Sequence, residues 1–161
     1  MRIAIACDHG GFPLKESVRK VLIGIGCEVV DLGTNDVRSV DYPDFAFKAV
    51  KALKERQCER IILICGTGIG MSICANRIPG VRATLCHSEF DARMSRQHND
   101  SNCLVLGSRT TGTAVAEDIV TIWLKTGFEG GRHQARLEKI EALAGEFMEH
   151  HEKMSINPEE R

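Results

Sequence analysis

Apolar runs and amphipathic stretches alternate along the whole chain. Residues 2–7 form a short apolar run that reads as a strand. Residues 12–25 space their apolar side chains as a helix does, with Pro13 suited to the first turn and Gly26 to the end. A second strand is predicted over 27–32, and a loop then runs through Gly33, Thr34, Asn35 and Asp36 to Asp41-Tyr42-Pro43. Residues 44–56 return to helical spacing through Phe45, Ala49, Ala52 and Leu53. The strongest apolar run is Ile61-Ile62-Leu63-Ile64, unbroken by any polar residue, which predicts a strand buried on both faces. A helix with Met71, Ile73, Cys74 and Ile78 as its apolar positions follows a glycine-rich loop. The pattern then predicts a strand over 81–86, a helix over 88–97 capped by Ser88, a strand over 102–106 and a helix over 112–125.

Repeated strand–helix units imply a parallel sheet with helices on both faces, joined by right-handed crossovers. The predicted fold is α/β: a doubly wound, Rossmann-like αβα sandwich of three layers around five parallel strands. In such folds ligands bind beyond the carboxyl ends of the strands. The polar signals fall at those ends: Asp8-His9-Gly10-Gly11, Gly33-Thr34, Cys65 to Gly70, and Gly107-Ser108-Arg109. A last helix-like stretch, from 132 to about 152, has no strand after it and carries Leu137, Ile140, Leu143, Ala144 and Phe147 at helical spacing. It would pack on its own core or on a second subunit. Residues 1–153 are expected to form a single domain, and 154–161 a disordered tail.

Composition narrows the function. The 161 residues are 43% hydrophobic and 27% charged, with a formal net charge of -1 and no basic stripe, which argues against a nucleic-acid partner. No apolar run approaches the ~20 residues needed to span a bilayer, so no membrane partner is expected. The first residues are too soon interrupted by Asp8-His9 to form a signal peptide. Seven cysteines are an odd number, and no pair has the spacing of a zinc site or a redox motif. Free thiols in a reducing cytoplasm, with no metal and no cofactor, are the expectation.

The candidate chemistry centres on Cys65-Gly66-Thr67-Gly68-Ile69-Gly70-Met71-Ser72. A dinucleotide fingerprint needs glycine at the first, third and sixth positions, and the sixth here is Met71; a nucleotide-triphosphate loop would need a following lysine. What remains is a cluster of backbone amides able to hold a carboxylate, a phosphate or a developing oxyanion. Cys65 stands directly before them, placed to act as nucleophile or general base. The alternative for this stretch is a tight strand-to-helix turn with a buried cysteine. His98 and Asn99 lie in a polar run after the fourth helix, where a histidine could serve as acid and base or be merely solvated. Asp8-His9 could contact a ligand or form a helix-entry turn. Arg132 and Arg136, four apart on one helix face, make a phosphate fork or a solvated basic face. An aldose–ketose isomerase of phosphorylated sugars fits these parts, since it needs a base beside the carbonyl, amides for the enediolate, an acid/base for ring opening and cations for the phosphate. Other anion-handling reactions fit the same chemistry.

Six motifs occur in order: Asp8-His9-Gly10; Asp41-Tyr42-Pro43; Cys65 to Ser72 with Ala75-Asn76; Ser95-Arg96-Gln97-His98-Asn99-Asp100; Gly107-Ser108-Arg109; and Gly130-Gly131-Arg132-His133 with Arg136. In these the chain closely resembles the type B ribose-5-phosphate isomerase family, which also holds the galactose-6-phosphate isomerase subunits. The likeness covers about residues 1–150. It implies interconversion of ribose 5-phosphate and ribulose 5-phosphate, within the pentose phosphate pathway, through a cis-enediolate. By resemblance, Cys65 is the base, with Thr67 also catalytic, and Gly66, Thr67, Gly68, Gly70 and Ser72 line the oxyanion loop. His98 opens the furanose ring, Asp8 and Asn99 contact sugar hydroxyls, and Tyr42 frames the site. His9, Arg109, Arg132 and Arg136 hold the phosphate. One branch of the family replaces the cysteine by a glutamate one residue after the third loop glycine; that position here is Met71, which places the chain on the cysteine side. The resemblance further implies a homodimer or homotetramer whose sites are shared between subunits. Six-carbon substrates such as allose or galactose 6-phosphate, and a non-catalytic sugar-phosphate sensor, are the alternatives.

Overall fold

A computed structural model describes residues 1–156, and side chains through residue 148. It divides into two compact units, the first Met1–Phe128 and the second beginning at Glu129. The first unit runs β1 (Arg2–Cys7), α1 (Phe12–Gly24), β2 (Glu28–Asp31), α2 (Tyr42–Lys54), β3 (Arg60–Cys65), α3 (Ile69–Ala75), β4 (Ala83–Leu85), α4 (Glu89–Asn99), β5 (Cys103–Gly107) and α5 (Thr113–Lys125). All strand pairs are parallel, in the order β2-β1-β3-β5-β4. The predicted α/β sheet is what forms.

Strand alternation sorts the core into two layers. Ile3, Ile5, Ile62, Ile64, Leu104 and Leu106 face α1, α4 and α5, where they meet Val18, Ala92, Ile119 and the fully buried Trp123. Ala4, Ala6, Ile61, Leu63, Cys103 and Val105 face α2 and α3, where they meet Ala46, Ala49, Met71 and Ala75. The helices therefore cover both sides of the sheet. Small residues on β1 and α2 let that helix lie close to the strands. Each fully buried Ile or Leu side chain contributes about 1.5–3 kcal/mol of transfer free energy, so the Ile61–Ile64 run makes β3 the centre of both layers.

Local signals set the ends. Pro13 stands in the first turn of α1, and Gly26, at φ +88°, turns the chain out of it. The Ser88 hydroxyl accepts the Asp91 N–H at 3.1 Å and caps α4. Two strands are shorter than their apolar runs suggested, β2 at 28–31 and β4 at 83–85. Both are sheet edges with one neighbour, so the ladder stops where that neighbour does.

The second unit holds α6 (Arg132–Ile156). Gly130 and Gly131, at φ +66° and +55°, lead into it, which only glycine does without strain. Met154, Ser155 and Ile156, expected in the tail, belong to this helix; residues 157–161 lie outside the described ones. Ile140, Leu143 and Phe147 are exposed along α6. Among the described residues, no helix is long and apolar enough to cross a membrane.

Candidate active site

The carboxyl ends of β1, β3 and β5 bring their loops together. β3 delivers Cys65, buried, into the glycine loop, and the Gly68 N–H donates to its sulphur at 3.1 Å. Gly68 turns the chain at φ +80° under tight walls: a Cβ there would lie 2.4 Å from Leu85 Cδ1 and 3.2 Å from the Leu106 carbonyl. The loop rests on the end of β5, since a Cβ on Gly107 would come within 2.7 Å of the Thr67 carbonyl oxygen. Ser108 and Arg109 donate their N–H groups to the carbonyls of Cys65 and Gly66, both at 2.9 Å. The Ser108 hydroxyl donates to the Gly10 carbonyl, tying in the end of β1. The β3 and β5 loops are thus joined backbone to backbone, and the β1 loop through the Ser108 hydroxyl.

Side chains close over this frame. The Arg109 guanidinium lies against Gly66, its Cζ 3.4 Å from where a Cβ would be. The Tyr42 ring, from the start of α2, covers Gly70 so closely that a Cβ there would be 2.7 Å from it. Asp8 is buried, and its Oδ1 accepts the Gly11 N–H at 2.9 Å. The helix-entry turn foreseen for Asp8 therefore forms. Nδ1 of His9 is 3.2 Å from both the N and the O of Val40, so its tautomer decides which it bonds. Lys15 is buried and bridges the Asp31 carboxylate at 2.8 Å and the Thr34 carbonyl at 2.7 Å, fixing the loop after β2.

His98 and Asn99 are elsewhere. They were expected in a loop, but they form the last turn of α4, which ends at Asp100 in the left-handed region with φ +43°. That helix runs back to the amino edge of the sheet. Ile61 pairs with Cys103 at this edge, and Cys65 pairs with Gly107 at the other. Within one chain the length of β3, roughly 15 Å, separates the end of α4 from Cys65. Arg132 and Arg136 occupy the first two turns of α6 in the second unit, four residues apart and exposed.

A family model described as ribose/galactose isomerase matches residues 3–140. The chain belongs to that family. Ribose-5-phosphate isomerase B of Escherichia coli is 46% identical over 142 residues, which are 88% of this chain and 95% of that protein. Among solved structures, ribose-5-phosphate isomerase B of Clostridium thermocellum superposes with a TM-score of 0.89 at 50% identity, covering 91% of this chain and 99% of that one. The ribose 5-phosphate isomerase of Thermotoga maritima gives 0.85 at 50% identity, with 88% and 97% covered.

The thiols of this family member divide by setting. Burial pushes Cys7 up to about 11, against a partial pull downward from Lys15. Burial also pushes Cys86 up to about 12 and raises Cys103, Cys58 and Cys74. These five are held as neutral thiols at physiological pH. Cys65 differs by facing the glycine loop at a strand end. Lys15 and Arg82 were not singled out from sequence: their partners, Asp31 and Thr34 for Lys15 and Asn99 and Asp100 for Arg82, are far away in the chain, and no local pattern marks them.

Proposed function

We propose that the chain interconverts ribose 5-phosphate and ribulose 5-phosphate by proton transfer through a cis-enediolate, with Cys65 as the base. The observation that carries this reading is the Cys65 sulphur at the end of β3, in hydrogen-bond contact with an amide of the glycine loop. The thiolate takes the proton from C2 of the open-chain aldose. The electron pair moves into a C1–C2 double bond, and charge collects on the oxygen of C1. N–H groups of the glycine loop, among them those of Gly66, Thr67 and Gly70, stabilise this charge, because they are fixed in place before the reaction. The Gly68 N–H faces the Cys65 sulphur, and the Ser72 N–H is spent within α3 on the Gly68 carbonyl at 3.0 Å. Cys65 then returns the proton to C1 while the proton of the C2 hydroxyl passes to the oxygen of C1, and the carbonyl forms at C2. No atom is gained or lost.

His98 opens the furanose ring by moving a proton between the ring oxygen and the anomeric hydroxyl, while Asp8, Asn99 and Tyr42 hold and frame the sugar. His9, Arg109, Arg132 and Arg136 neutralise the phosphate, whose bidentate recognition suits guanidinium. The active unit is a homodimer, or a tetramer built from it, in which the Cys65 loop works with the His98 end of the partner. The separation of these two groups along β3 supports that arrangement. So do Ile69 and Ile73, exposed on α3 beside the loop, with Phe47 exposed on α2. Seven free cysteines suit a reducing cytoplasm.

Cys65→Ala is expected to lower turnover of ribose 5-phosphate by about a thousandfold while leaving affinity for a non-reacting sugar phosphate nearly unchanged. Initial rates and calorimetric binding check this. Unchanged turnover would refute the role of Cys65, and a chain that merely sensed sugar phosphates would show no turnover to lose. The pairing of ribose with galactose in the family description keeps a six-carbon sugar phosphate as the second reading. Specificity constants for ribose 5-phosphate against allose and galactose 6-phosphates separate the two.

A further inference from the structure

The end of α4 is held in an unusual way. The last carbonyls of any helix lack partners within it and must be satisfied from outside. Here the Arg82 side chain does this: its Nε–H lies 3.0 Å from the carbonyl oxygens of both Asn99 and Asp100. Its Nη2 also donates to Asp100 Oδ2 at 2.8 Å. The other oxygen, Asp100 Oδ1, accepts from Arg96 Nη1 at 2.8 Å. Arg96 is almost fully buried, donates further to the carbonyls of Ser101 at 2.5 Å and Thr126 at 3.3 Å, and stacks its guanidinium over Trp123. Asp100 itself sits at φ +43°, ψ +48°, a backbone state that costs a non-glycine residue energy. Left alone it would relax, and the last turn of α4 would fray.

We propose that Arg82 and Asp100 are positioning residues that lock the final turn of α4 and so fix His98 and Asn99 for work on the sugar ring. Arg82 is itself anchored, because its N–H donates to Asn102 Oδ1 at 2.8 Å and its carbonyl accepts the Ser101 hydroxyl at 3.1 Å. It lies on the connection between α3 and β4. One continuous segment therefore runs from the Cys65 loop to the clamp on the His98 turn. The Arg82 side chain is 28% exposed and that of Asp100 36%, so their ion pair adds little to stability. Its effect is on geometry: catalytic groups displaced by about 1 Å can lose as much as a hundredfold in rate.

The inference rests on the reading of His98 as the ring-opening group, and the experiment separates the two. Two substrates are compared, ribose 5-phosphate, which must be opened, and an aldotetrose 4-phosphate, whose blocked terminal hydroxyl prevents it from forming a furanose. The reference variant His98→Ala should impair the first and spare the second. Arg82→Ala and Asp100→Asn should follow the same pattern, with kcat on ribose 5-phosphate down about 10- to 100-fold, KM little changed and the melting temperature lowered only slightly. Arg82→Lys, which cannot reach both carbonyls and the carboxylate at once, should recover only part of the rate. Asparagine tolerates the left-handed conformation, so Asp100→Asn tests the clamp without unfolding the turn. The imidazole NMR signals of His98, assigned by their loss in His98→Gln, should shift or broaden in the clamp variants. Equal losses on both substrates in the clamp variants, or an unmoved His98 signal, would overturn the proposal. If His98→Ala fails to separate the substrates, the ring-opening reading falls instead, and the NMR signal alone then decides the clamp.

Discussion

Gly68 shows how much a single missing side chain can determine. Its φ of +80° turns the chain so that its N–H meets the Cys65 sulphur, and the walls of Leu85 and Leu106 leave no room for a methyl group. Gly68→Ala is expected to destabilise the fold by about 1–3 kcal/mol and to cost more in rate than in stability, because the amide must leave the sulphur. Gly24→Ala is the control: it lies at the end of α1 with open space around it. There alanine should stabilise by about 0.5–1 kcal/mol, with kinetics unchanged. Thermal melts and initial rates on both variants check the contrast.

At the scale of elements, the sheet carries thiols that ionise late. Burial keeps Cys7 protonated to about pH 11, whereas in the unfolded chain it loses its proton near 9.0. The unfolded state alone gains by ionising between those values, so this contribution to stability is complete below about pH 9 and lost as pH rises towards 11. At ~1.4 kcal/mol per unit, Cys7 alone is worth about 3 kcal/mol over that window. Cys86 behaves alike over a wider one. Melting temperatures from pH 8 to pH 10.5 should fall steeply in the natural chain and less steeply in Cys7→Ala.

Elements are also where the sequence is most and least legible. The strands declared themselves through unbroken apolar runs, since a parallel sheet covered on both faces needs such strands. The glycine loop and its cysteine stood out for the same reason, as a sudden change of composition at a strand end. The end of α4 did not. His98-Asn99-Asp100, polar and placed after a helix predicted to end at Gln97, reads as loop, yet the helix that Ser88 starts is carried by the clamp from Arg82 through Asn99. That clamp joins residues 17 and 18 apart in the chain, beyond any periodic signal. The facing of Ile73 was hidden too: it was expected inward, but it is 54% exposed, while Met71 and Ala75 bury the opposite side of α3.

For the whole molecule, the proposed roles raise the question of how Cys65 and His98, at opposite edges of one sheet, would serve one reaction. A shared site answers it and has a direct test. Cys65→Ala and His98→Ala would each be inactive as pure homodimers. Mixed and allowed to exchange subunits, they form heterodimers in which one of the two sites regains both natural residues. With equal amounts and free exchange, recovered activity should approach about a quarter of the natural value. No recovery, in mixtures shown by mass spectrometry to contain heterodimers, would place both groups in one chain's own site.

The distance along β3 has one more consequence. If neither edge of the sheet works without the other edge of a second copy, a lone folded chain is inert whatever its stability. Specific activity then becomes a function of enzyme concentration and declines on dilution below the dimer dissociation constant, with every residue still in place. A newly made chain would meet sugar phosphates without altering them until it met another of its kind.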